Sequence, residues 1–127
     1  MKPTANMMPR WALGLLLAVA AASGPSGCED SEYDRDPPDG QGSLVVDNFT
    51  GDRLRVYVDG ERLDSVKAGH HRYYDLEPGV HRLALDGDDT DRSWADDVDV
   101  LENRRTVIEV RSQAGDYREF DVRVYFD

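Results

Sequence analysis

"RLRVYVDGERLDSV", residues 53 to 66, alternates apolar and polar side chains on both sides of an Asp-Gly pair. Leu54, Val56 and Val58 fall on one face of an extended chain, and Arg53, Arg55 and Tyr57 fall on the other, because successive side chains of a strand point to opposite faces. Asp59-Gly60 is a pair favoured in tight hairpin loops, whose central residues take positive φ. "ERLDSV" is therefore read as the returning strand. This stretch predicts a β-hairpin with one buried face, and it sets the period to look for elsewhere.

The same period runs outward in both directions, with frequent turn signals and no helical stripe. "SLVVDNF" at 43 to 49 precedes the hairpin and "HRYYDL" at 71 to 76 follows it. Glu77-Pro78-Gly79 comes next and reads as a type II turn, Pro presetting φ and Gly accepting a positive φ. "VHRLALD" then puts His81, Leu83 and Leu85 on one face. Beyond the polar loop "GDDTDR" lie "SWADDVDVL", "RTVIEVR" and "YREFDVRVYFD". In these, one face takes Trp94, Val98 and Val100, then Ile108 and Val110, then Phe120, Val122, Val124 and Phe126. The other face is charged, with Asp97, Asp99, Glu119, Asp121 and Arg123. Short strands spaced about ten residues apart predict an all-β domain over 43–127: a small two-sheet antiparallel β-sandwich of seven to eight strands, of immunoglobulin or transthyretin type.

Upstream, the composition changes. Residues 29 to 42, "EDSEYDRDPPDGQG", are acidic and rich in Pro and Gly, too poor in apolar surface to offset the entropy of ordering. With Cys28 they are expected to form a disordered tether over 28–42, spanning roughly 20 Å as a flexible coil. Trp11 to Ala22, "WALGLLLAVAAA", is a 12-residue apolar run behind Arg10. A bilayer-spanning helix needs about 20 such residues. The run fits instead the h-region of a secretory signal peptide over 1–27, with Ser23, Gly24, Ser26 and Gly27 as its small-residue processing region.

Cys28 is the only cysteine in the chain, so an internal disulfide is excluded. "PSGC" at 25 to 28 resembles the lipobox of bacterial lipoproteins. Ser26, Gly27 and Cys28 fit that pattern, while Pro25 stands where an aliphatic residue is usual. The resemblance implies that Cys28 is lipidated on sulfur and becomes the mature N-terminus, anchoring the protein to a membrane of the bacterial cell envelope, with the outer membrane favoured. The rival reading is cleavage near "AVAAAS", which leaves Cys28 a free thiol on a secreted or periplasmic protein.

"VYVDGERL" followed by "LEPGVHRLAL" is similar to small extracytoplasmic sandwiches of the PEGA type, over about residues 44 to 86. Val56, Val58, Asp59 and Gly60 match the first signature, and Leu76, Gly79, His81 and Leu83 the second. The eponymous Pro-Glu-Gly-Ala is absent. The resemblance implies an envelope-associated accessory module without catalytic residues.

The chemistry-bearing residues give little to set against that. The chain's formal net charge is −11, and Lys2 and Arg10 lie in the segment expected to be removed. A surface so acidic repels phosphate backbones, so nucleic acid is excluded as a partner. Expected partners are the membrane, through the anchor, and an envelope protein or a glycan. His70, His71 and His81 are the only histidines, and His70 and His71, being adjacent, point to opposite faces of a strand. Within "DGDDTDRSWADD", Asp86, Asp88 and Asp97 fall at positions one, three and twelve of a calcium-type loop. Asp91 stands where the turn needs glycine, however, and no Glu closes the loop. A solvated hairpin tip is expected there, with no metal and no cofactor.

No serine sits in a nucleophile elbow and no Gly-rich phosphate loop is present. Asn48-Phe49-Thr50 is a glycosylation sequon by pattern, though the bacterial lipobox argues against its use, and of Tyr73 and Tyr74 one must face inward and one outward. The expectation is a non-enzymatic structural or binding module of the cell envelope. The alternative is a secreted soluble sandwich that binds carbohydrate or calcium through its loops.

Overall fold

The alternation is realised as eight strands in the computed structural model, which describes residues 33–127. They are β1 (Gly42–Asn48), β2 (Leu54–Val58), β3 (Glu61–Val66), β4 (His71–Leu76), β5 (Gly79–Gly87), β6 (Ser93–Val100), β7 (Arg105–Ser112) and β8 (Phe120–Phe126). Two four-stranded sheets result, ordered β4-β1-β7-β8 and β3-β2-β5-β6. The chain is thus an all-β, two-sheet sandwich. The expected signal segment and Cys28 lie outside the described residues.

The hairpin that sets the pattern closes as its sequence demands. Asp59 and Gly60 take φ of 52° and 85°, and Val58 pairs with Glu61 across the two-residue loop. Leu54, Val56 and Val58 are buried, while Arg55 and Tyr57 are half-buried on the other face. Leu83 and Leu85 continue the inner face on β5, and Ile108 and Val110 meet them from the opposite sheet in one apolar cluster.

Three expectations need correction. One sheet is not purely antiparallel, because β1 runs parallel to β7 from Ser43 opposite Arg105 to Asn48 opposite Val110. Parallel neighbours need a long connection, and here the whole second sheet and β4 intervene between the two strands. Secondly, Glu77-Pro78-Gly79 is no type II turn. It carries the chain from β4 in one sheet to β5 in the other, and Gly79 has φ of 139°, well beyond the roughly 80° of a type II turn.

Thirdly, the compact unit begins at Arg35, so the end of the expected tether belongs to the domain. Arg35 forms a two-bonded ion pair with Asp75, one bond measuring 2.9 Å, and its carbonyl accepts from Arg105 (3.2 Å). The Asn103 amide donates to the Gln41 carbonyl (2.8 Å). These polar bonds order a segment whose apolar content alone would not.

Asp97, Asp99, Glu119, Asp121 and Arg123 are exposed as expected, but the outer face of the first sheet is apolar in its middle. Tyr73, Val45, Val107 and Tyr125 lie in register as one row across β4, β1, β7 and β8, and both valines are fully buried. Rows of polar and charged residues flank it on each side. Central strands are covered on two faces, and the adjacent apolar residues Leu44-Val45-Val46 and Val107-Ile108 interrupt the alternation in β1 and β7 accordingly.

Gly42 shows how tightly the sheets close where β6 hands over to β7. A Cβ there would stand 2.3 Å from the Leu101 carbonyl oxygen and 2.6 Å from a methyl of Val100. The first contact is with backbone, which cannot rotate aside. Gly42→Ala is therefore expected to cost about 1–3 kcal/mol by overpacking. Chemical denaturation should register this, whereas Gly51→Ala, with open space around its Cβ, should be close to neutral.

Candidate functional site

Strands β3 and β4 are edge strands of opposite sheets on the same side of the sandwich, and an open cleft of about 490 Å3 lies between them. That volume falls within the range of small ligand sites. Leu63 and Leu76, partly buried and packed on the core, supply its apolar floor. Arg62, Asp64, Arg72 and Asp75 supply charged rims of both signs.

The rims are held in place by bonds between the two edges. Tyr74 turns inward and is 7% exposed, and its hydroxyl donates to the Asp64 carbonyl. Burial pushes the Tyr74 phenol well above its ordinary pKa, so it stays a donor. Arg72 donates from Nε to the Ser65 carbonyl (3.2 Å) and lies 3.6 Å from the Asp64 carboxylate. On the β4 side, hydrogen bonding from Arg35 holds the Asp75 carboxyl below the usual carboxylate range, with Ser43 Oγ also donating to it (2.7 Å). The cleft is thus a preorganised, mainly polar groove with a small apolar floor and fixed charges, suited to binding. No nucleophile with an adjacent base lines it.

Of the two adjacent tyrosines, Tyr73 faces outward, as the period requires. It is not a free platform, since the Arg35 guanidinium sits 5.1 Å from its ring centroid and His71 meets it edge-on at 5.4 Å.

The histidines do not converge. His70 and His71 are exposed, while His81 is a structural clamp. Its Nδ1 lies 2.6 Å from Asp59 Oδ2 and its Nε2 lies 2.7 Å from the Glu77 carbonyl oxygen. Both partners are acceptors, so the imidazolium, which donates from both nitrogens, fits them best. It joins the β2–β3 turn to the crossing between the sheets. Burial opposes the charge on His81, but the bonds to Glu77 and Asp59 outweigh it and raise its pKa above the ordinary value. Asp59 is held low, chiefly by the Arg82 amide and then by His81.

A raised folded pKa means that the His81 contribution is complete below the unfolded value of about 6.5 and is lost as pH rises through the folded value. Urea titrations at about pH 6 and about pH 9 should show the wild type losing stability toward the alkaline side. His81→Gln, which has no proton to lose, should lack that component. Parallel declines of the two proteins would refute the clamp.

The acidic residues of the tentative calcium loop are not gathered either. Asp86 and Asp88 share Arg55, at 3.7 and 3.5 Å, whereas Asp97 sits on β6 opposite Arg82, which it contacts at 3.3 Å. Each carboxylate already faces a guanidinium. No three acidic, imidazole or thiol groups stand together among the described residues.

Asn48 has a role that motif reading did not assign it. Fully buried, its Nδ2 reaches the carbonyls of Asp52 (2.7 Å), Val66 (3.1 Å) and Lys67 (3.2 Å), and its Oδ1 accepts from the Thr50 amide and hydroxyl. The sequon nitrogen is inside the fold, stapling β1 to the ends of two loops. Two carbonyl-rich turns near one asparagine are a tertiary signal that no spacing rule reveals.

Comparison with known proteins bears on the fold. The chain is similar to the solved N-terminal domain of AlgF from P. aeruginosa, at 18% identity and a TM-score of 0.51, covering 71% of this chain and 96% of that one. It is similar as well to the C-terminal domain of AlgF from P. aeruginosa, at 17% identity and a TM-score of 0.55, covering 70% of this chain and 100% of that one. No family model matches the chain, and no curated protein does. The similarity therefore establishes a shared β-sandwich that spans each of those domains almost end to end.

Proposed function

We propose that the protein is a non-enzymatic lipoprotein of the bacterial cell envelope, anchored through Cys28, whose sandwich holds a segment of another envelope protein in the β3–β4 cleft. The observation that carries the reading is the cleft itself, with Leu63 and Leu76 beneath and Arg62, Asp64 and Arg72 along its rims. An extended peptide presents alternating apolar and charged groups to such a groove. "PSGC" behind a 12-residue apolar run supports the anchor. Glu29 follows Cys28 and is not the Asp that retains enterobacterial lipoproteins, which supports an anchor in the outer membrane.

Two measurements on the protein made in a bacterial host test this. Intact mass should find a chain that begins at Cys28 and carries acyl groups, and Cys28→Ser should leave the detergent phase. A photo-crosslinking residue in place of Arg62 should give a discrete adduct with an envelope protein that the same residue at Asp97, on β6, does not give. An unmodified thiol on protein recovered from the medium would favour the secreted alternative. Adducts equal at both positions, or absent at both, would remove the cleft from the proposal.

A further inference from the structure

The β3–β4 cleft is fastened differently at its two ends. At one end the Tyr74 hydroxyl and Arg72 Nε donate to the carbonyls of Asp64 and Ser65. Both donors keep their protons throughout the neutral range, since burial raises the Tyr74 phenol further and a guanidinium does not deprotonate. The same order of contacts puts Leu63 and Leu76 at the other end, and there the walls are joined through His81. Its Nε2 meets the carbonyl of Glu77, the residue after Leu76, and its Nδ1 meets Asp59, two residues before β3 begins. Gly79, at φ 139°, gives the crossing from Glu77 to β5 a joint that other residues rarely adopt.

Asp59 is the fixed partner of the two. Its Oδ1 accepts from the Arg82 amide (2.9 Å) and its own amide donates to the Arg82 carbonyl (2.8 Å), so it moves with the second sheet. A neutral imidazole carries one N–H, and bonds to a carboxylate are the stronger ones. Loss of the proton therefore keeps Nδ1–H on Asp59 and sets a bare Nε2 against the Glu77 carbonyl, two acceptors facing each other. The bond that disappears is the one between the sheets. The remaining charged groups of the surrounding elements are occupied or turned away. The Glu77 carboxylate takes Gln41 (3.4 Å), Asp75 on β4 pairs with Arg35, and Glu61 is exposed at the start of β3. On β6, Asp97 and Asp99 flank Val98, the register partner of His81, and so lie on the opposite face, where Asp97 meets the Arg82 side chain.

We propose that His81 is a proton-operated latch on this cleft: protonated, it draws the end of β4 to the β2–β3 turn and holds the groove in its binding shape; neutral, it releases that end and weakens binding. This regulation rests on the reading of the cleft as the site for a segment of an envelope protein. The two ends differ in kind, one held by donors that do not titrate near neutrality and one by the side chain that does. Burial disfavours the charge on His81, but the bonds to the Glu77 carbonyl and Asp59 outweigh it and raise its pKa. The latch is therefore shut below about pH 6.5 and opens as pH rises through the higher folded value.

Nuclear magnetic resonance of the purified full chain reads the latch without a ligand. Overhauser effects from the Leu76 methyls to the β3 wall should weaken between about pH 6 and about pH 9, with the midpoint of the His81 ring nitrogens, while those from the Tyr74 ring to Asp64 stay constant. Asp59→Asn should lower both midpoints together, and His81→Gln, which serves if the first variant does not fold, should leave the Leu76 signals level with pH. With the photo-crosslinking residue in place of Arg62, the yield of adduct should fall roughly threefold or more over the same range and should not change with pH in His81→Gln. A Leu76 end that ignores the titration of the ring, a yield independent of pH, or an equal fall in His81→Gln would overturn the latch. No adduct at any pH would remove the partner reading instead, and the Leu76 midpoint would then decide the latch alone.

Discussion

Replacing Leu83 by alanine should cost about 2–5 kcal/mol in denaturant titration, the range of buried leucine truncations. Leu83 is fully buried on the inner face of β5, a central strand between β2 and β6, where neighbours on either side limit collapse into the vacated space. For a domain of about a hundred residues, such a loss lowers the melting temperature by roughly 10 °C or more. Val124→Ala makes the instructive contrast. Val124 sits in an equally regular apolar alternation, but at 42% exposure on an edge strand it should lose well under half as much. Equal losses at the two positions would mean that the inner face of β8 is covered in solution.

Asn48→Ala should be damaging out of proportion to its size. The substitution strands three carbonyls that share Nδ2 and the Thr50 amide and hydroxyl that share Oδ1. Each buried polar group left unpaired costs about 1–3 kcal/mol, softened where water enters, so a total of about 3 kcal/mol or more is expected. Asn48→Asp should be worse than alanine at neutral pH. It keeps the acceptor for Thr50 but points a carboxylate at the carbonyls of Asp52, Val66 and Lys67, and acid should partly relieve it by protonation. A small loss in both variants, measured by the same titration, would show that the asparagine network is replaceable by solvent.

Glu109 illustrates a buried charge of another kind. It is 8% exposed on the outer face of β7, and burial works against its carboxylate. Hydrogen bonds from Arg111 (3.1 Å) and Tyr125 (3.1 Å), together with the charge of Arg123, outweigh that and hold its pKa low. Arg123 therefore serves the fold through Glu109.

The sequence by itself determined the all-β class, the strands and most of their faces, because a half-buried strand must alternate and an Asp-Gly loop must turn. Leu54, Val56, Val58, Leu83, Leu85, Ile108 and Val110 are buried as their spacing requires. Only the tertiary structure decided which strands are neighbours, since a period of two is silent about partner and direction: hence the parallel β1–β7 pair and the crossing at Gly79. The sheet order also decides which strands are central, and so buries Val45 and Val107 while leaving Val124 and Phe126 exposed. The cleft, the Asn48 staple and the Arg35 anchor join residues distant in the chain, and their physical basis is hydrogen bonding and charge pairing that exist only once the two sheets have met.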